Sequence, residues 1–190
     1  MEFQNITVMF QETIDSLAIK PDGRYIDGTA GGGGHSQAIL DRLESGKLLS
    51  IDRDPDAIAA CKARFAGNPH SLVRRGNFSQ LLEIAREADM LPVDGVLLDI
   101  GVSSHQLDDP ARGFSFHHDA PLDMRMSQEG PSARDLVNTL PWQELARILR
   151  QYGEERNAVR IAKGIVAARE QAPIETTVQL AEIVKANVPA

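Results

Sequence analysis

Residues Tyr25-Ile26-Asp27-Gly28-Thr29-Ala30-Gly31-Gly32-Gly33-Gly34-His35-Ser36 constrain the fold of this 190-residue chain more than any other stretch. They lead into Gln37-Ala38-Ile39-Leu40-Asp41-Arg42-Leu43, whose apolar residues recur at helical spacing, so a strand, a glycine turn and a helix are predicted in that order. Four successive glycines remove every Cβ from the turn, which lets the backbone take positive φ and brings its N–H groups close to a ligand. The following helix N-terminus favours a polar or anionic ligand group there. A loop needing only flexibility would require neither an acidic residue at the strand end nor a helix directly after it.

The next sixty residues repeat the pattern. Lys47-Leu48-Leu49-Ser50-Ile51 reads as a second strand closed by Asp52, and Asp54-Pro55 as a capping residue with proline at the first helical position. That helix runs through Ala57, Ile58, Cys61 and Phe65 to a Gly67-Asn68-Pro69 stop. Ser71 to Arg75 is predicted as a third strand, Ser79 to Ala88 as a helix, and the apolar run Val93 to Asp99 as a central parallel strand. A short leading helix over Gln11 to Ala18 precedes them all. Alternation at this spacing means βαβ units, an α/β fold and a parallel sheet whose ligand crevice lies beyond the carboxyl ends of its strands. Those ends carry Asp27, Asp52, Asn77 with Phe78, and Asp99.

After Asp99 the character changes. Residues 100–131 hold Gly101, Pro110, Gly113, Pro121, Gly130 and Pro131 with no sustained period, and read as a long functional loop. Beyond it only helical patterns appear, over Ala133 to Asn138, Pro141 to Tyr152, Glu154 to Glu170 and Thr177 to Ala186. The expected organisation is a Rossmann-like ligand-binding domain over 1–105, a substrate-facing loop over 106–131 and an all-helical domain over 132–190, with the parallel sheet incomplete.

Composition narrows the chemistry only slightly. A single cysteine, Cys61, excludes an internal disulfide, and its place in a helical pattern marks it as core. Neither a signal peptide nor a membrane span is visible, so a cytoplasmic location and no membrane partner are expected. The net charge of -7 does not advertise nucleic acid. Arg147, Arg150, Arg156, Arg160, Lys163 and Arg169 are interleaved with Glu144, Glu154, Glu155 and Glu170, which suits a solvated mixed-charge face better than a basic patch. Neighbouring His117 and His118 point apart in an extended loop, so no metal is expected. Trp142, at a helix start, is read as packing between helices.

Two nucleotide classes use such a turn. Asp52 stands where a dinucleotide sheet places the acid that takes ribose hydroxyls. Asp27 favours S-adenosylmethionine over NAD, because an acid can receive the amino group of the methionine moiety and would repel a pyrophosphate. No Lys-Ser or Lys-Thr follows the glycines, which excludes a P-loop, and no Tyr-x-x-x-Lys pair follows the sheet.

The glycine turn, Asp94-Gly95-Val96-Leu97-Leu98-Asp99-Ile100-Gly101-Val102-Ser103-Ser104, Arg112-Gly113-Phe114-Ser115-Phe116, Pro121-Leu122-Asp123-Met124-Arg125-Met126 and Tyr152-Gly153-Glu154-Glu155-Arg156 together closely resemble the bacterial ribosomal RNA small subunit methyltransferase H family, also called MraW. The resemblance implies a class I methyltransferase sheet with an inserted helical domain. It also implies methyl transfer from S-adenosylmethionine to N4 of a cytidine in the decoding region of 16S rRNA, with the small ribosomal subunit as partner and no DNA. Cofactor contacts are implied at Gly33, Gly34, His35, Asp52, Phe78, Asp99 and Gln106. Asn5-Ile6-Thr7-Val8-Met9-Phe10 stands where the family usually has a histidine before a Val-Leu-Leu run. Family members continue past the equivalent of Ala190, so the remaining strands are expected beyond this sequence.

Asp99 is the candidate catalytic residue, either touching cofactor or accepting an N–H from the amine so that its lone pair faces the methyl. Within the loop, Phe114 or Phe116 could stack on a flipped base while Arg112 or Arg125 meets phosphate; alternatively both rings anchor the loop to the core. A small-molecule methyltransferase and a non-catalytic cofactor- or RNA-binding fragment stay open, as does a homodimer.

Overall fold

The computed structural model describes residues 9–189, so the run from Asn5 to Val8 and the final Ala190 lie outside the described residues. The chain divides into two compact units, Met1–Ser104 and His105–Ala190.

The first unit is an α/β sheet. Its order is α1 (Phe10–Ser16), β1 (Arg24–Asp27), α2 (Gly34–Leu40), β2 (Lys47–Asp52), α3 (Pro55–Arg64), β3 (Ser71–Arg75), a 3-10 turn (Phe78–Gln80), α4 (Leu81–Glu87) and β4 (Gly95–Leu97). Among the described residues four parallel strands pair in the order β3-β2-β1-β4. All carboxyl ends therefore share one side, and the order reverses between β1 and β4, where a crevice opens. Side chains alternate across the sheet. Tyr25, Leu48 and Leu97 join Ile14, Ile39, Cys61 and Phe65 on one face. Ile26, Leu49 and Ile51 join Ala85 and Met90 on the other. Both faces of β1 and β2 are thus covered, so neighbouring residues such as Tyr25 and Ile26, and Leu48 and Leu49, are apolar on both faces.

Two side-chain caps open the helical segments after β2 and β3. Asp54 caps α3 by accepting from the Asp56 N–H at 3.1 Å, with Pro55 at the first helical position. Asn77 caps the turn before α4, accepting from the Ser79 N–H at 3.0 Å. The fourth strand covers Gly95–Leu97 and, among the described residues, pairs with β1. Val96 and Leu98 are exposed.

The second unit is helical, with α5 (Ser104–Asp108) beginning at its border, a 3-10 turn (Pro110–Arg112), α6 (Ala133–Thr139), α7 (Trp142–Gly153), α8 (Ala158–Arg169) and α9 (Thr177–Ala186). Leu122, Val137, Leu145, Ile161, Ile165 and Ile174 form its core. Helix α8 starts later than its pattern suggests because Glu154 takes a left-handed conformation, φ 51°, and ends α7. Capping boxes at Ser132/Asp135 and Thr176/Gln179 open α6 and α9. Trp142 packs against this core and carries the Lys163 ammonium 4.9 Å above its ring.

The long segment before α6 is ordered by this unit. The Leu122 N–H donates to Glu175 O at 3.0 Å, the Thr177 N–H to Ala120 O at 2.9 Å, and the Thr177 hydroxyl to His118 O at 3.1 Å. Short helical turns occupy part of it, at α5 and Pro110–Arg112, which its glycines and prolines had hidden.

Candidate functional site

The glycine turn is built asymmetrically. Gly31 and Gly33 take positive φ, 50° and 79°. A Cβ on Gly33 would lie 2.8 Å from Phe65 Cζ and 3.3 Å from Cys61 Sγ, so this side of the turn rests directly on α3. A Cβ on Gly34 would meet nothing within 4 Å, and one on Gly31 only Thr29 O at 4.0 Å. The turn is therefore closed behind and open in front, a cradle in which backbone can approach a ligand. Arg64, near the end of α3, braces it by donating from Nη1 to Gly32 O at 3.1 Å.

Asp52 ties the second strand to this cradle. Its Oδ2 accepts from the Gly31 N–H at 2.8 Å and its Oδ1 from the Asp54 N–H at 2.9 Å. The Arg53 N–H bonds the same carboxylate, whose two oxygens together offer about four acceptor directions. Burial raises the Asp52 carboxyl above its ordinary range, opposed by the backbone N–H groups of Asp54 and Gly31. Asp99 follows β4. Its N–H donates to Thr29 Oγ1 at 2.6 Å, and its side chain is 52% exposed. Phe78 and Leu98 flank the exit of β1, since a Cβ on Gly28 would lie 3.4 Å from Phe78 Cβ and 2.5 Å from Leu98 Cδ2. The structure thus gathers Gly33, Gly34, His35, Asp52, Phe78 and Asp99 at the carboxyl ends of the sheet. Gln106 lies in α5 on the second unit's side of the division and is buried.

Asp27 occupies a different place from the one its sequence position suggests. Its carboxylate is fully buried, accepting from the Thr29 N–H at 3.1 Å and from the Ser36 hydroxyl at 2.7 Å. Ser36 in turn lies 2.8 Å from the Ser50 hydroxyl. Burial pushes the Asp27 carboxyl up, with Ser36 the main opposing influence. It holds the turn through Thr29 and Ser36, with its side chain shut off from solvent. Beside it, burial drives the Cys61 thiol to about 12, so Cys61 is packing and not a nucleophile. The Ser36–Ser50 link is a buried polar pair that sequence reading missed; small hydroxyls one residue past the turn and within an apolar strand were its only signal.

In the second unit the proposed RNA residues separate by role. Arg112 is buried and its Nη2 donates to the carbonyls of Arg125 and Met126, both at 3.1 Å. Arg125 grips Asp123 through Nη2 at 2.6 Å and through Nε at 3.0 Å, and holds that carboxyl below its usual range. Both arginines thus bind the loop to itself. Phe114 is half-buried, whereas Phe116 is 60% exposed beside His117. Among the described residues no group of three or more His, Cys, Asp or Glu side chains could hold a metal ion, and no helix is long and apolar enough to cross a membrane.

Comparison with known proteins gives consistent results. The family model described as the MraW methylase family matches residues 2–190. "Ribosomal RNA small subunit methyltransferase H" of Symbiobacterium thermophilum is 52% identical over 194 residues, covering 100% of this chain and 61% of that protein. The protein of the same name from Lachnospira eligens is 52% identical over 193 residues, again with 100% and 61% covered. The chain therefore spans 61% of the length of these relatives.

Proposed function

We propose, from the premise that this chain belongs to the MraW methylase family, that it carries the cofactor site of an S-adenosylmethionine-dependent methyltransferase acting on 16S rRNA. The methylated atom on this reading is the exocyclic N4 of a decoding-region cytidine, the partner is the small ribosomal subunit, and the compartment is the cytoplasm. The relatives' name, a ribosomal RNA small subunit methyltransferase, supports the substrate class. The observation that carries the cofactor is the cradle, open at Gly31 and Gly34 and flanked by Asp52 and Asp99.

Bound S-adenosylmethionine supplies a methyl group made electrophilic by its sulfonium. Everything else falls to the chain. Asp52 would take the ribose hydroxyls, the Phe78 ring would pack on the base, and the backbone of Gly33, Gly34 and His35 would meet the methionine end, with Gln106 a further contact. Asp99 is the candidate catalytic group. A cytosine amine is a poor nucleophile because its lone pair is delocalised into the ring, and a half-exposed carboxylate that accepts one N–H holds that lone pair in line for transfer. Residues 1–105 form the cofactor domain on this reading, 106–131 the substrate-facing loop and 132–190 the inserted helical domain. In that loop Phe116 is the ring available for stacking on the target base, while Arg112 and Arg125 keep the loop in shape.

The test has two arms. Calorimetry on this chain should detect S-adenosylmethionine binding that Asp52→Ala abolishes. Labelled methyl should enter small subunits lacking the modification when the full-length protein is supplied, and not free nucleosides. No cofactor binding by the unaltered chain, or transfer to free nucleosides alone, would overturn the reading.

A further inference from the structure

The open cradle uses the backbone of His35, yet its side chain is also built into place. The residue is 6% exposed, at the start of α2. Its ring stacks on Phe10 of α1, with centroids 5.1 Å apart and planes inclined by 18°. Nδ1 lies 4.0 Å from Asp99 Oδ2. Nε2 is buried with no hydrogen-bond partner among the described residues. A ring needed only for packing would be better as phenylalanine, because a buried polar atom without a partner is destabilising. The nitrogen that does have a polar neighbour faces the one carboxylate assigned to catalysis.

We propose that His35 is a positioning residue: its imidazole, clamped by the Phe10 stack, directs an Nδ1–H at Asp99 and fixes that carboxylate at the mouth of the cradle. The inference rests on the catalytic role proposed for Asp99. Asp99 needs such a partner because its backbone is anchored by Thr29 while its side chain is half exposed, and an exposed carboxylate otherwise samples several rotamers. With the proton on Nδ1 the ring stays neutral and Nε2 is a bare acceptor, less costly to bury than an N–H. A second carboxylate near His35 is Asp27, which is held by the Thr29 N–H and the Ser36 hydroxyl.

The first measurement needs no ligand. Nitrogen-detected histidine spectra of the chain, with His35 assigned by its loss in His35→Phe, should show the Nδ1–H tautomer at neutral pH. Asp99→Ala, which removes the acceptor facing Nδ1, should move the tautomer balance towards Nε2–H. Asp27 is present in both proteins, so its field cancels from the comparison. The second measurement is a double-mutant cycle on S-adenosylmethionine binding. His35→Phe, which keeps the stack and removes both nitrogens, should weaken binding about tenfold in the unaltered background and not further in Asp99→Asn. His35→Asn, whose amide places a donor near Nδ1, should recover most of the loss. A tautomer balance unmoved in Asp99→Ala, or losses that multiply in the double variant, overturns the proposal. Failure of the unaltered chain to bind the cofactor would instead overturn the reading of the cradle, and the tautomer measurement would still decide the His35–Asp99 pair.

Discussion

Gly33 and Gly34 are adjacent and chemically identical, and the structure gives their replacement opposite consequences. A Cβ on Gly33 would fall 2.8 Å from Phe65 Cζ and 3.3 Å from Cys61 Sγ, at a φ of 79°. Holding an L side chain in that left-handed region costs about 1–2 kcal/mol, and forcing a methyl into a packed core about 1–3 kcal/mol more. Gly33→Ala should therefore lose about 2–5 kcal/mol, a large part of the roughly 5–15 kcal/mol that stabilises an ordinary domain. At a urea slope of about 2 kcal/mol per molar, that is a midpoint lower by about 1–2.5 M. Gly34 is the first residue of α2, and its Cβ would meet nothing. Alanine there gains up to about 1 kcal/mol in helix propensity, so stability should hold or rise slightly. The added methyl nevertheless projects into the cradle, and calorimetry should find S-adenosylmethionine binding at least about tenfold weaker, the loss of about 1.4 kcal/mol. Paired urea unfolding and calorimetry on the two variants separate the effects. Unaltered cofactor affinity in Gly34→Ala would refute the claim that the open side of the turn is the ligand side. An unshifted midpoint in Gly33→Ala would refute the packing of the closed side on Phe65.

Three further outcomes rest on the same geometry. Burial raises the Asp27 carboxyl in the folded chain, so the folded state holds that proton more tightly than the unfolded state. Its contribution to stability is full below the unfolded value, about 3.9, and is lost as pH rises towards the folded value. Asp27→Asn keeps an acceptor for the Thr29 N–H, lets Ser36 donate to Ser50, and should flatten this part of the stability–pH curve; urea midpoints across the acid range that keep their slope would contradict it. The Cys61 thiol, pushed up to about 12, should resist a disulfide reagent at pH 8 in the folded chain and react in urea. In the second unit, Arg112→Ala should lower stability by about 1.5–3 kcal/mol through its lost charge-assisted bonds. Phe116→Ala, on an exposed ring, should change stability by less than about 0.5 kcal/mol and weaken RNA in gel shifts; the reverse pattern would return the arginine to the phosphate backbone.

The sheet was legible because its signals are local. The Asp54-Pro55 cap, the glycine turn and the strand over Lys47 to Ile51 each depend on a few neighbouring residues, and each appears where expected. The site was legible in outline for the same reason, since strand ends in a parallel sheet converge whatever their side chains do. Which way a side chain turns at such an end was not. Asp27 and Asp52 stand in equivalent positions, one buried behind the turn and the other bonded to its front. What separates them is Ser36 and Ser50, two hydroxyls from different elements that meet only in the folded chain. The charge pattern hides a similar distinction, because Arg112 and Arg125 look like any loop arginines until the carbonyls and the Asp123 carboxylate that hold them are in view.

The run from Val93 to Asp99 reads as a strand that wants cover on both faces, and among the described residues its neighbour is β1. Leu97 does enter the core beside Tyr25, and Val96 lies in register with the buried Ile26. Yet Val96, Leu98, Ile100 and Val102 are all exposed, Ile100 by 72%, in β4 and along the chain that leaves it. Residues of this kind at alternate positions form an apolar row that the described residues leave uncovered. Asp99 sits inside that row. The carboxylate assigned to catalysis therefore stands between exposed apolar neighbours, where any group that packs against the row also removes water from the carboxylate and strengthens its hold on a substrate N–H.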